Sequence, residues 1–60
     1  MRVLIVEDDP MMQLGLEQVL SNQPNISLIG IEEDGYLAVE TALKEKPDLI
    51  LMDIGLPRMD

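Results

Sequence analysis

The chain has 60 residues, four of them basic and twelve acidic, for a formal charge of -8, and it contains no cysteine. That composition excludes disulfides and thiolate metal sites, and it disfavours direct binding to nucleic acid or to an anionic membrane surface, both of which need Lys and Arg clusters. It suits a cationic partner such as a metal ion. No apolar run reaches bilayer-spanning length and the short apolar start runs into acids rather than a secretory pattern, so the expected setting is cytoplasmic.

In chain order, Val3-Leu4-Ile5-Val6 is an unbroken, mostly β-branched run, the pattern of a strand buried on both faces of a parallel sheet. It stops against Glu7, Asp8 and Asp9. Asp9-Pro10 reads as a helix N-cap followed by proline at the first helical position. Met12, Leu16, Val19 and Leu20 then fall on one helix face, with Gly15 on the same side as an expected point of close approach to the sheet. Ser21 to Asn25 ("SNQPN") is loop chemistry.

Ile26 to Ile31 is expected to be a second strand, and Glu32 to Gly35 ("EEDG") a polar turn before a second helix. There Ala38, Val39, Ala42 and Leu43 form the expected buried stripe, with Tyr36 and Leu37 off it. Pro47 breaks that helix. Leu49-Ile50-Leu51-Met52 repeats the pattern of the first strand, an apolar run ending in an acid, Asp53. "GLPRMD" follows as a loop shaped by Leu56-Pro57. Met11, Met12, Met52 and Met59 are expected to serve packing rather than metal binding, because thioethers prefer soft metals.

The order is therefore β-α-β-α-β. Helices of this length between strands imply right-handed parallel crossovers, so all three strands point the same way. In open α/β sheets, ligands bind beyond the carboxyl ends of the strands. Asp8 and Asp53 each lie just past such an end. If the first and third strands are neighbours, their backbones run about 4.8 Å apart and the two acids converge. That adjacency is inferred from the acids themselves. Converging hard oxygen donors suit Mg2+, which takes one or two carboxylates and keeps several waters. A cation there offsets the repulsion between neighbouring carboxylates. The blander alternative is that the acids solvate a strand end and complement a helix N-terminus.

"VLIVEDDP" together with "DLILMDIGLPRMD" resembles the receiver domain of two-component response regulators. The likeness runs the length of the chain, including the "EDG" before the second helix. It implies a flavodoxin-like, doubly wound parallel sheet, with residues 1–60 forming the β-α-β-α-β half (strand order 2-1-3) of a five-stranded receiver. It further implies that Asp53 accepts a phosphoryl group from a histidine kinase. Asp8 would ligate Mg2+ directly, Glu7 largely through water, and Gly55 through its backbone carbonyl.

A full receiver is about twice this length. The hydroxyl residue and the lysine that sense the phosphoryl group in the family have no match here, since Thr41, Lys44 and Lys46 map to the second helix and its end. Phosphorylation of the 60-residue chain is therefore expected to be impaired. An open third strand and bare helix surfaces are expected to drive homo-oligomerisation, so a self-associating assembly module is the alternative reading. The chain is not expected to be an enzyme. A phosphatase working through an aspartyl phosphate would want a second carboxylate at position 55, which is Gly55.

Overall fold

The structure, a computed structural model, describes residues 1–52. Five elements follow in the expected order: β1 (Arg2–Val6), α1 (Pro10–Ser21), β2 (Ser27–Glu32), α2 (Gly35–Glu45) and β3 (Leu49–Met52). The strands form one parallel sheet in the order β2-β1-β3. With a helix on each face, this is half of a flavodoxin-like α/β architecture.

β1 is the centre of the sheet. Val3, Leu4 and Ile5 are completely buried, and their side chains alternate between the two faces. Val3 and Ile5 join Leu20 of α1 in one cluster, with Leu16, Leu28, Ile31 and Leu51 packed around it. Leu4 and Val6 join Ala38 of α2 in the other, with Ile29 and Ala42. A strand covered on both faces has no place for alternating polar residues, which is why its sequence is apolar throughout.

β2 begins and ends one residue later than its hydrophobic pattern suggests. The Ile26 N–H is committed to the turn, donating to the Gln23 carbonyl at 3.2 Å, while at the other end the Glu7 N–H donates to the Glu32 carbonyl at 2.9 Å. The β1–β2 register also slips between Val3/Leu4, which pair with Leu28 and Gly30 respectively. Gly30 sits at this bulge, where an added side chain would find ordinary van der Waals contacts. A Cβ there would lie 3.4 Å from Leu4 Cδ1 and 3.8 Å from Thr41 Cγ2.

Both helix N-termini are capped as their sequences require. Asp9 accepts from the Met11 N–H at 2.9 Å, and Asp34 accepts from the Tyr36 and Leu37 N–H groups at 2.7 and 3.0 Å. α2 ends on Lys46, which takes a left-handed conformation (φ 52) and donates its N–H to the Ala42 carbonyl. Arg2 fastens that end. Its guanidinium donates to the carbonyls of Glu45 and Lys46 and pairs with the Glu45 carboxylate at 3.1 Å. A cation over the last carbonyls complements the helix dipole. Arg2 and Asp48 also bond reciprocally: the Arg2 N–H donates to Asp48 Oδ2, and the Asp48 N–H to the Arg2 carbonyl. That exchange starts β3 in register against β1.

Two expected stripes are only half realised. On α1, Leu20 is buried and Leu16 half-buried, but Met12 and Val19 are exposed and, among the described residues outside its own helix backbone and chain neighbours, nothing lies within 4 Å of a Cβ at Gly15. On α2, Ala38 is buried and Ala42 half-buried, whereas Val39 and Leu43 are exposed. The cause is the narrow sheet. α1 rests mainly on β2, and α2 on β2 and β1, so residues to either side of those lines are less covered by the described residues. Tyr36 and Leu37 are exposed, as their position off the stripe implied.

Candidate functional site

The acidic loop Glu7-Asp8-Asp9 lies at the carboxyl end of β1, and the three acids have three different fates. Glu7 is buried, only 4% exposed. Its backbone N–H extends the β1–β2 pairing to Glu32, and its Oε2 accepts the Asp9 N–H at 3.0 Å. A buried carboxylate needs such donors, since desolvating it without hydrogen bonds is costly. Asp9 is spent on the helix cap, as its place before Pro10 suggested. Asp8, between them, is exposed at the sheet edge.

β3 runs parallel to β1, with Leu4 paired to Ile50, Ile5 to Leu51 and Val6 to Met52. The last described residue of β3 is thus level with the residue that precedes Glu7. The inferred adjacency of the first and third strands is therefore present, and both strands deliver their carboxyl ends to one edge. Asp53 and Gly55 lie outside the described residues, as do Leu56, Pro57 and Met59. Among the described residues no group of three or more His, Cys, Asp or Glu side chains is placed to hold a metal ion. The donor chemistry nevertheless fits Mg2+. A solvent-facing carboxylate beside a buried, hydrogen-bonded one suits an ion that keeps much of its water and draws on few protein oxygens.

Two further residues build the edge and carried no obvious sequence signal. Gln13, at the end of the first turn of α1, donates an Nε2 hydrogen to the Glu7 carbonyl at 2.5 Å. Glu32, ending β2, accepts the Thr41 hydroxyl at 2.6 Å while its carbonyl accepts the Glu7 N–H. A polar residue four places after the cap was the only hint of the first. The second was hidden because the strand seemed to stop at Ile31.

Fold and edge together define an open, doubly wound α/β unit with acids where such sheets bind ligands. The model of one family, the response regulator receiver domain, matches residues 3–60. Over all 60 residues the chain is 48% identical to protein-glutamate methylesterase/protein-glutamine glutaminase 1 of Geobacter sulfurreducens, covering 17% of that protein. It is 36% identical over 58 residues to the nitrate/nitrite response regulator protein NarL of Escherichia coli, covering 97% of this chain and 27% of that one. Among solved structures, the response regulator domain of Thermotoga maritima CheB superposes with a TM-score of 0.86 at 40% identity, covering 100% of this chain and 45% of that one. The chain belongs to the response regulator receiver family, and it spans about a sixth of the length of the methylesterase relatives it matches.

Proposed function

We propose that this chain is the phosphoacceptor portion of a two-component receiver, in which Asp53 takes a phosphoryl group from a histidine kinase. A carboxylate oxygen of Asp53 attacks phosphorus, the bond from phosphorus to the kinase imidazole breaks, and its electron pair stays on the departing nitrogen. Asp8 would hold Mg2+ directly and Glu7 through water, with Asp53 and the Gly55 carbonyl as the further protein donors. When bound, the cation neutralises charge between the attacking carboxylate and the phosphoryl oxygens. The observation that carries this reading is the parallel pairing of Val6 with Met52, immediately before Glu7 and Asp53 in sequence.

The relatives support a regulatory rather than a catalytic role for this segment. One is named for a methylesterase and glutaminase, another for a nitrate/nitrite response, so the part they share with this chain is common to different outputs. We read the chain as non-enzymatic and cytoplasmic, with neither nucleic acid nor membrane as a direct partner. No helix among the described residues is long and apolar enough to cross a membrane. In the isolated 60-residue polypeptide the acceptor reaction is slow, because none of its residues matches the family's sensing hydroxyl or lysine. Intact-mass measurement after incubation with an acyl phosphate and Mg2+ should show slow addition of one phosphoryl group, absent in Asp53→Asn. Equal labelling of the Asn variant would refute the assignment.

A second reading concerns the isolated polypeptide's association state, and the exposed apolar residues favour it. Leu49, Ile50 and Met52 on β3, with Val39 and Leu43 on α2, are all open to solvent. A strand of that composition, at the edge of the sheet among the described residues, invites pairing with another copy. Sedimentation at micromolar concentration is expected to show a homo-oligomer, most simply a two-fold dimer. A monodisperse monomer contradicts this.

A further inference from the structure

Asp8 is flanked on both sides by residues tied to Gln13. The half-buried Gln13 side chain donates Nε2–H to the Glu7 carbonyl at 2.5 Å, and its backbone N–H donates to the Asp9 carbonyl at 2.9 Å. The side-chain partner is a carbonyl oxygen, which only accepts, so the amide must present its nitrogen. The same loop is held by the Glu7 N–H on Glu32 and by the Asp9 N–H on Glu7 Oε2. Of these attachments, the Gln13 side chain is the one that reaches across from the helix to the last β1-side carbonyl before Asp8.

We propose that Gln13 is a positioning residue for the acidic loop. By fixing the peptide that leads into Asp8, it sets the direction in which that carboxylate meets a divalent cation. The consequence is selectivity. Mg2+ demands near-ideal octahedral geometry at short distances, whereas Ca2+ tolerates variable coordination, so a loosened loop penalises Mg2+ more. The inference rests on the reading of Asp8 as a metal ligand given above. It adds a residue that touches neither metal nor phosphoryl group.

The test compares the 60-residue chain with Gln13→Met, which removes the donor at similar volume, and with Gln18→Met, the same change on the exposed side of α1. Gln13→Glu, which keeps the shape and deletes the N–H, serves if the methionine variant folds poorly. Two quantities are read: calorimetric affinities for Mg2+ and Ca2+ separately, and amide hydrogen exchange of Asp9 without metal. Gln13→Met is expected to weaken Mg2+ binding about tenfold, the usual scale for losing an outer hydrogen bond to a metal site. Ca2+ binding falls less, Asp9 exchange quickens severalfold, and Gln18→Met changes none of these. An unchanged Mg2+ to Ca2+ ratio overturns the proposal. If the parent chain binds no Mg2+, the ligand reading of Asp8 fails and selectivity falls with it. Unchanged Asp9 exchange in Gln13→Met then overturns the loop-positioning claim as well.

Discussion

Truncating Leu4 to alanine is expected to bring the chain to the edge of unfolding. Leu4 is completely buried, packs with Val6 and Ala38, and pairs with Gly30 across the β1–β2 ladder at the bulge. Removing such a side chain costs about 2–5 kcal/mol, because the cavity closes only partly. Total stability for a chain of this size is roughly 3–9 kcal/mol, and a small domain has little surplus burial to offset the loss. Leu43→Ala provides the contrast. Leu43 is 73% exposed, so its truncation should shift stability by no more than about 0.5 kcal/mol. Urea unfolding of both variants checks the pair. Similar midpoints for the two would mean that the core is not centred on β1.

Those two leucines also show how far sequence reading reaches. Leu4 and Ile50 stand in runs of nearly identical character, and the runs do become paired parallel strands. Yet Leu4 is completely buried and Ile50 is 41% exposed. Periodicity reports which side chains a neighbour could cover, and β1 has a strand on each side whereas β3 has β1 alone among the described residues. The helix stripes failed at Val39 and Leu43 for the same reason, and Gly15, placed on the stripe side of α1 by periodicity, has no sheet residue against it among the described residues. Local rules did better. Asp9 before Pro10 caps its helix as expected, because N-cap chemistry depends on adjacent residues only; Asp34, placed from sequence only within a polar turn, caps α2 in the same way. Within the site, the strand adjacency was legible from the repeated run-then-acid pattern. The burial of Glu7 and the reach of Gln13 were not, since both depend on the path of the loop that joins β1 to α1.

Three successive acids with different tasks should respond differently to the same substitution. Asp8→Asn is expected to weaken Mg2+ binding by about tenfold or more, or at least about 1.4 kcal/mol, because an amide carries no charge to replace the exposed carboxylate. Asp9→Asn should leave Mg2+ affinity and fold nearly unchanged, because asparagine caps a helix about as well as aspartate. Isothermal titration decides between them. Equal losses would indicate a diffuse acidic field rather than a ligand at Asp8.

The claim on which the functional account turns is that the carboxyl ends of β1 and β3 share one divalent ion. Its most direct test is to add substoichiometric Mn2+, which accepts the same oxygen ligands as Mg2+, and to record which amide resonances broaden. Broadening is expected to centre on Glu7, Asp8 and Asp53 through Gly55, to be competed away by Mg2+, and to spare Glu17, Glu40 and Glu45. Broadening centred on the helix acids, with Asp8 and Asp53 unaffected, would contradict it.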